Sequence, residues 1–420
     1  MSVWVRFGPS PTGPLHLGSA RTAPFNWLFA RKHGGRFLLR IEDTDPERSS
    51  PRWESAIMSD LAWLGLSWDE APVRQSERLD AYRSAAERLL AGGTADYCFC
   101  TPEALEAQRQ EQLARGLPPR YDGRCRAIPP DEARRRRSAG EPAAVVDDSW
   151  MSVTHVIRGD DHLANTPRQM ALARTLELEP AMYAHLPLIH GQDGTPLSKR
   201  HGAATVEEHR RSAILPEALV SYLALLGWSP PAGQTEVMDL ALLSQLFSLD
   251  RVSRSPARFD PERLSWFNRQ HLRRLPVERL LPEVVAGVPG VEPAVVERAL
   301  HAVKREASSL REVIEQVGEV SREPIADLRP LSTVDRAVLE GLRSALRGAA
   351  LPSEAEARLL LDRLEGTLNV RKRAMMHAIR VALTGRPQGL PVATLLWVIG
   401  PAAALRRVER ALTQAAPIAS

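Results

Sequence analysis

The sequence predicts an α/β fold in which a doubly wound parallel sheet is interrupted by an insertion and followed by an all-helical region. Strand-like and helical runs alternate between residues 3 and 64 and again between 154 and 190, and that order is typical of a parallel sheet with helical crossovers. After Arg200, nearly every segment has the apolar spacing of an amphipathic helix.

Local patterns predict each element in turn. Pro24 lies inside the first predicted helix, where it removes a backbone donor and could cost up to ~3 kcal/mol if the helix stays regular. Ser49-Ser50 can cap the second helix. In order, the predicted elements are a strand at 3–7, a helix at 19–32 ending at Gly34-Gly35, a strand at 36–43, a helix at about 51–64, a strand at 154–159, a helix at 166–176 and a strand over "LPLIH", 186–190.

Composition bounds the class of protein. A chain of 420 residues is expected to hold two to four domains, and 44% hydrophobic with 25% charged residues is ordinary for a globular protein. The formal charge of +4 is compatible with a polyanionic partner. No secretory signal is visible, and prolines interrupt the longest uncharged run, 387–405. We therefore expect a cytoplasmic protein with no membrane contact.

The stretch "GPSPTGPLHLGSAR", residues 8–21, joins the first strand to the first helix. A free helix N-terminus presents backbone N–H groups and the positive end of the helix dipole, so that phosphate is a natural ligand there. His16 could donate to a phosphate whose charge grows in a transition state, and Gly18 leaves room for a nucleotide close to the backbone. A plain strand-to-helix turn with a surface histidine is the alternative.

The stretch "GQDGTPLSKRHG", residues 191–202, is a glycine turn followed by basic residues. Lys199 and Arg200 could place positive charge on a departing polyphosphate. Taken alone, the same residues describe a solvated basic loop.

Together these two stretches closely resemble the HIGH and KMSKS signatures of class I aminoacyl-tRNA synthetases. The "PSPTG" form, "RIEDTD" at 40–45 and "HVIRGDDHLANTPRQ" at 155–169 resemble bacterial-type glutamyl-tRNA synthetase, and the resemblance runs through nearly the whole chain. It implies a Rossmann-like catalytic domain, an all-α anticodon-binding region, and a monomer that takes tRNA(Glu), glutamate and ATP with Mg²⁺.

The resemblance also implies site residues. His16 would stabilise the α-phosphate and Lys199 the departing pyrophosphate, and two arginines suit a side-chain carboxylate as Glu42 suits an α-ammonium. A structural Arg6–Glu42 ion pair remains the alternative. The matching positions are His16, Gly18, Ser198, Lys199 and Arg200 for catalysis; Arg6, Gly8, Ser10, Glu42 and Arg158 for glutamate; and His16, Asp161, Leu188 and Lys199 for ATP.

The domain boundaries expected from the resemblance follow the breaks in pattern. They are a first catalytic half at 1–84, a shortened acceptor-binding insertion at 85–142, a second catalytic half at 143–190, the KMSKS-like loop with a helical stem-contact domain at 191–300, and an anticodon-binding domain at 301–420. The run Arg134 to Arg137 in the insertion could contact phosphates or form a solvated helix face.

The three cysteines all lie between residues 98 and 125, an odd count that gives no disulfide framework. Their arrangement resembles the zinc knot of some family members. Thiolates of Cys98, Cys100 and Cys125 are suitable Zn²⁺ ligands, and the Tyr121 phenolate could be a fourth. Three reduced structural cysteines are the alternative.

One segment of the family pattern is missing. The insertion continues directly into "AAVVDD", 143–148, without the segment that in relatives carries a tyrosine and an asparagine of the glutamate pocket. Pro196 also replaces the first lysine of the KMSKS pattern. The sequence therefore predicts a glutamate–tRNA ligase with a trimmed insertion, and leaves open a non-catalytic tRNA-binding paralogue or an adenylating paralogue with an altered amino acid or acceptor.

Overall fold

The computed structural model describes residues 2–127, 143–197, 205–323, 331–368 and 370–414. Its contacts divide the chain into two compact units, Met1–Glu208 with Val220–Asp260, and His209–Leu219 with Pro261–Ser420. Within the described ranges, every helix is too short or too polar to cross a lipid bilayer. This division is coarser than the five expected domains, whose boundaries stay a prediction.

A parallel five-stranded sheet forms the centre of the first unit. Its strands, in spatial order, are β3 (Val73–Arg74), β2 (Arg36–Ile41), β1 (Trp4–Phe7), β4 (His155–Gly159) and β5 (Met182–Leu186). Val5 of β1 pairs with Phe37 of β2 on one side and His155 of β4 on the other. The chain thus winds outward from β1 in both directions, which confirms the predicted doubly wound sheet. Two further strands, β6 (Ile189–His190) and β7 (Ala257–Arg258), form a separate parallel pair.

Helices make up most of the remaining described chain. Those that begin before residue 261 are α1 (Leu17–Lys32), α2 (Pro51–Trp63), α3 (Leu79–Ala91), α4 (Pro102–Ala114), α5 (Ala143–Trp150), α6 (Thr166–Thr175), α7 (Val206–Arg211), α8 (Pro216–Leu225) and α9 (Leu240–Leu246). The others are α10 (Pro261–Arg274), α11 (Val277–Gly287), α12 (Pro293–Val303), α13 (Leu310–Ser321), α14 (Thr333–Leu346), α15 (Glu354–Thr367), α16 (Lys372–Thr384), α17 (Val392–Ile399) and α18 (Pro401–Gln414).

Helix α1 packs on the sheet, with its N-terminus at the edge where β1 ends. It continues through Pro24, which is buried, so the proline is accommodated without ending the helix. The buried amide of Asn26 donates to the backbone oxygens of Thr22 in the same helix and Ile157 in β4, both at 2.9 Å. These bonds satisfy the buried amide nitrogen and fix the first helix against β4.

The last predicted strand of the sheet is displaced. The structure places β5 at Met182–Leu186, so that only the first residue of "LPLIH" belongs to the sheet, and Ile189–His190 forms a separate short strand that pairs with β7. The apolar run marks the buried chain after the strand, whereas "MYAHL" lacks the alternation that predicts one. The predicted strand at 186–190 was therefore wrong in position by several residues.

The second unit is helical, as predicted, with a core of aliphatic side chains on amphipathic helices. Arg407 of α18 is buried in this core, and its guanidinium donates to the carbonyls of Val320, Ser321 and Leu383. These carbonyls lie in the last turns of α13 and α16, where backbone acceptors lack helical partners and the dipole favours a cation. Arg407 is therefore a structural link between helix ends.

Candidate active site

A cavity of about 680 Å³ opens at the edge of the sheet where β1, β2 and β4 end. This edge of a doubly wound sheet is where ligands usually bind. The cavity brings together predicted residues that are far apart in the sequence. Its lining includes Arg6, Gly8, Ser10, His16, Gly18, Glu42, Arg158, Asp161 and Leu188.

His16 is the N-cap residue of α1. Its backbone is extended, and its Nδ1 atom accepts a hydrogen bond from the backbone N–H of Gly18 at 3.3 Å. Because Nδ1 is an acceptor, the neutral ring carries its proton on Nε2. The side chain therefore has one nitrogen that orders the helix N-terminus and another that is protonated and can donate.

The loop that holds Ser198, Lys199 and Arg200 lies outside the described residues. The chain on either side of it is described, and both ends lie at this site. Leu197 lines the cavity. Thr205 forms a bridge with His16, and the N–H of Val206 donates to the carbonyl of Leu15 at 3.0 Å. The two ends of the KMSKS-like loop are thus anchored beside the N-terminus of α1.

A chain of alternating charges runs beneath the cavity. Arg6 Nε donates to Asp148 Oδ1 at 3.2 Å, Arg40 Nη1 donates to the same oxygen at 2.5 Å, and Arg40 Nη2 donates to Glu42 Oε1 at 2.8 Å. Arg40 is fully buried. Arg6 and Glu42 therefore do not pair with each other, and the alternative of a direct Arg6–Glu42 ion pair is wrong.

Burial and charge act in opposite directions in this network. Burial lowers the pKa of Arg40, but Asp148 and then Glu42 raise it by more, so that its pKa lies above the usual value. Burial likewise raises the pKa of Asp148, whereas Arg40 and Arg6 lower it to below its usual value. Arg40 and Asp148 are therefore both charged at neutral pH.

Sequence reasoning missed Arg40 and Asp148. Arg40 is the first residue of the motif "RIEDTD", and Asp148 is the last residue of "AAVVDD". Both residues therefore lie in motifs that the sequence already singles out. Asp148 lies on α5, directly after the point where the sequence predicts a missing segment, and Ala144 of the same helix lines the cavity. The part of the lining that α5 supplies is therefore the methyl group of Ala144.

Arg158 projects from β4 and is held by neutral partners. It donates to Thr166 Oγ1 at 2.8 Å and to His185 Nε2 at 3.4 Å, and its guanidinium lies 5.1 Å from the ring centroid of Tyr183. Burial, followed by Arg6, lowers the pKa of Arg158. Burial, followed by Arg158, lowers the pKa of His185, which keeps that imidazole neutral as an acceptor.

Two further predicted residues, Asp161 and Leu188, line the cavity. Asp161 lies in a 3₁₀ turn, Asp160–Asn165, directly after β4. Leu188 follows Pro187, whose carbonyl accepts a hydrogen bond from the buried Arg21 of α1. The first helix thus fixes the chain that carries Leu188.

The three cysteines form a cluster apart from the cavity. The sulfur atoms of Cys98, Cys100 and Cys125 lie within 4.8 Å of one another. Tyr121 Oη lies 3.8 Å from Cys100 Sγ and accepts the N–H of Cys125 at 3.1 Å, and the N–H of Phe99 donates to Cys125 Sγ at 3.4 Å. Hydrogen bonds, first from Tyr121 and then from the backbone of Phe99, lower the pKa of Cys125 to about 7. These donors fit a tetrahedral thiolate site. Arg134 to Arg137 lie outside the described residues.

Family models match both parts of the chain. The model for the catalytic domain of class I tRNA synthetases (E and Q) matches residues 2–145 and 141–266, and the model for an anticodon-binding domain matches 273–412. The catalytic match breaks at 141–145, where the sequence predicts a missing segment.

Individual relatives and solved structures point to the same family as these models. The chain is 40% identical to glutamate–tRNA ligase 1 of Alkalilimnicola ehrlichii over 97% of both chains, and 37% identical to glutamate–tRNA ligase of Heliobacterium modesticaldum over 98% of this chain and 97% of that one. The second alignment spans 488 positions, more than the 420 residues here, so that relative holds residues that this chain lacks.

A crystal structure of a glutamate tRNA ligase from Elizabethkingia meningosepticum, in complex with its amino acid, matches with a TM-score of 0.78 and 27% identity over 99% of this chain and 100% of that chain. A glutamate-tRNA synthetase from Elizabethkingia anophelis matches with a TM-score of 0.75 and 28% identity over 98% and 100%. The chain therefore belongs to the glutamate–tRNA ligase family of class I tRNA synthetases.

Proposed function

We propose that this protein is a glutamate–tRNA ligase acting as a monomer in the cytoplasm. The α-carboxylate of glutamate attacks the α-phosphorus of Mg²⁺-bound ATP, which gives glutamyl-adenylate and pyrophosphate. A hydroxyl of the terminal adenosine of tRNA(Glu) then attacks the acyl carbon and releases AMP. One observation carries the proposal, namely that groups suited to an amino acid and to a phosphate line the same cavity.

The glutamate roles rest on charge and on the unused atoms of each side chain. Arg6 and Arg158 bind the side-chain carboxylate through charge-assisted hydrogen bonds, and Glu42 binds the α-ammonium. Ser10 and the backbone at Gly8 complete this side of the site. Support comes from the lining of the cavity, which includes all five residues.

The nucleotide roles rest on the N-terminus of α1. His16 donates from Nε2 to the α-phosphate, where negative charge grows in the transition state, and Gly18 leaves its backbone accessible. Asp161 and Leu188 contact the nucleoside. Lys199, with Ser198 and Arg200, neutralises the departing pyrophosphate. The anchoring of Leu197 and Thr205 beside His16 supports this last role.

The domain roles follow the expected boundaries. We propose that residues 85–142 contact the acceptor end of the tRNA, 191–300 its stem, and 301–420 its anticodon arm. The match of residues 273–412 to an anticodon-binding domain supports the last assignment.

Residues of the cysteine cluster are proposed to hold a structural Zn²⁺. Cys98, Cys100 and Cys125 supply thiolates, and the Tyr121 phenolate completes the donor set. Zinc supplies cross-linking of these loops without redox chemistry, and the backbone of Phe99 orients one thiolate toward it.

The decisive experiment is glutamate-dependent exchange of pyrophosphate into ATP, run with and without bacterial tRNA, followed by charging of that tRNA. We expect exchange that depends on tRNA, because the family resemblance implies tRNA-dependent activation, and we expect glutamyl-tRNA as the product. If the protein shows no exchange of pyrophosphate and no charging of tRNA, the proposal is ruled out.

Altered amino acid selectivity is the second candidate, favoured by the Ala144 methyl group in the cavity wall. A screen of the other amino acids in the same exchange assay separates the two, because only this candidate predicts a better substrate than glutamate. A non-catalytic paralogue predicts salt-sensitive tRNA binding without exchange for any amino acid.

A further inference from the structure

We propose that Arg40 and Asp148 are positioning residues that together hold Arg6 and Glu42, the two groups proposed to bind opposite ends of glutamate, in fixed register. The inference rests on the proposed function and assigns roles to two buried residues that touch no substrate. The inference follows from which polar atoms of the four side chains form hydrogen bonds within the network and which remain available to a ligand.

Arg6 and Glu42 each use only some of their polar atoms for hydrogen bonds within the network. Arg6 is bonded through Nε to Asp148, and its two terminal nitrogens have no hydrogen-bond partner among the described residues. Glu42 accepts both bonds from Arg40 on Oε1, while Oε2 has no such partner within the described chain. Each side chain is therefore held by one polar atom, and its remaining polar atoms are available to a ligand in the cavity.

Asp148 and Arg40 connect these two fixed ends directly. Both arginines donate to Asp148 Oδ1, and Arg40 spans from that oxygen to Glu42. Arg40 is fully buried, and Asp148 is 8% exposed. A guanidinium presents donors in a rigid planar fork, so Arg40 sets the separation of the two carboxylates in a way that a lysine cannot.

The network also sets the charge that a substrate meets. Arg6, Arg40, Asp148 and Glu42 sum to zero, whereas Arg158 makes no ion pair with any described residue. Around the residues proposed to bind glutamate, Arg158 therefore leaves a formal charge of +1, opposite in sign to the net charge of −1 on free glutamate at neutral pH, whereas Asp161 adds a negative charge in the part of the lining proposed for the nucleotide. Loss of the Asp148 charge would change this balance and release Arg6.

The neighbouring Asp147 provides a matched control. It is fully buried on the same helix and is bonded to Tyr82 Oη at 2.6 Å, Arg78 Nε at 2.7 Å and Gln75 Nε2 at 3.1 Å. It does not line the cavity. Asp147→Asn therefore removes a buried carboxylate with a comparable structural role and leaves the Arg6–Glu42 register intact.

The test compares Asp148→Asn with Asp147→Asn in the full-length chain. Binding of radiolabelled glutamate is measured by equilibrium dialysis, binding of ATP is measured separately, and thermal unfolding reports stability. We expect Asp148→Asn to weaken glutamate binding about tenfold or more while ATP binding changes by less than about twofold. Asp147→Asn should lose as much stability but bind glutamate as the wild type does.

Arg40→Lys gives a second variant that keeps the charge. We expect its glutamate affinity to fall between those of the wild type and Asp148→Asn, because one ammonium group reaches one carboxylate well but not two. Equal losses of glutamate affinity in Asp148→Asn and Asp147→Asn, or equal losses of glutamate and ATP binding in Asp148→Asn, would overturn the inference.

Failure of the proposed function has a different signature. A wild type that binds glutamate but neither exchanges pyrophosphate nor charges tRNA rules out the ligase, and the comparison of the two asparagine variants still decides the inference. A wild type that binds no glutamate overturns the inference itself.

Discussion

The carboxylate of Glu42 lies directly against the backbone of Gly8, and a Cβ atom placed on Gly8 would lie 2.6 Å from Glu42 Oε1. Gly8→Ala therefore displaces Glu42 from its position beside Arg40. We expect the KM for glutamate in pyrophosphate exchange to rise about tenfold while the KM for ATP stays within about twofold, because only one substrate meets Glu42 in the proposed site.

Gly92→Ala is the control for this substitution. Gly92 has an ordinary helical φ of −78°, its added Cβ would meet nothing closer than 3.4 Å, and it lies outside the cavity. An unchanged glutamate KM in Gly8→Ala would show that the close contact does not position Glu42.

Two substitutions separate the N-cap role of His16 from its proposed catalytic role. Asparagine is a good N-cap residue but lacks the imidazole N–H, whereas alanine lacks both functions. We expect His16→Asn to retain wild-type stability in urea unfolding and His16→Ala to lose about 1 kcal/mol. Both should slow pyrophosphate exchange by a factor on the order of 100. Normal exchange in His16→Asn would assign His16 to capping alone.

His185 makes the stability of the first unit depend on pH. Its folded-state pKa lies below the usual 6.5 because of burial and then Arg158. At a pH between the folded-state and the unfolded-state pKa of His185, unfolding therefore takes up a proton. The contribution of the neutral ring to the free energy of unfolding is fully present above pH 6.5 and is lost as the pH falls through the folded-state pKa.

His185→Gln keeps an acceptor for Arg158 and removes this titration. The difference in unfolding free energy between wild type and variant, measured by urea unfolding at several pH values, should be constant above pH 6.5 and shrink below it. A difference that stays constant down to pH 5 would contradict the assignment of a lowered pKa.

Metal content tests the cysteine cluster. The purified protein should hold about one zinc ion per chain by atomic emission, and Cys100→Ser should hold much less, because three thiolates converge there. Tyr121→Phe should keep the metal but release it to a chelator about tenfold more readily, since it loses only the phenolic oxygen and keeps the three thiolates. Metal-free wild-type protein with full activity would favour three reduced structural cysteines instead.

Arg407 should be a determinant of stability in the second unit. Burial lowers its pKa to about 10, so it is protonated at neutral pH and satisfies carbonyls in two helix ends. We expect Arg407→Met to destabilise the unit by ~3 kcal/mol, because buried acceptors lose a charged donor. Its exposed neighbour Arg406, changed to Met, should shift unfolding by less than ~0.5 kcal/mol.

Local pattern was sufficient to predict most elements of the sheet and the first helix. The alternation at 3–7, the Gly/Pro turn and the cap at Ser50 are signals carried by adjacent residues, and the structure confirms the strands and helices built on them. "LPLIH" failed because apolar character marks burial and not strand geometry.

Side-chain partners across the site could not be predicted in the same way. Arg40 and Asp148 are 108 residues apart, and their contact depends on how β2 and α5 meet in space. Arg407 likewise stands next to Arg406, and two adjacent arginines are typical of an exposed basic surface. Only the packing of three helices shows that Arg407 is buried. Residue type indicates the chemistry, whereas the tertiary fold decides which groups meet.

The hydrogen bonds of Asp147 join the two ends of the insertion at 85–142 that is proposed to contact the acceptor end of the tRNA. Tyr82 and Arg78 lie just before the insertion and Asp147 just after it. The intervening polypeptide is therefore a loop closed at its base, and halving such a loop changes its closure entropy by only about 0.6 kcal/mol. Evolution can lengthen or trim this appendage while the catalytic sheet keeps its register, so gene variants that differ here are expected to retain the same folded frame.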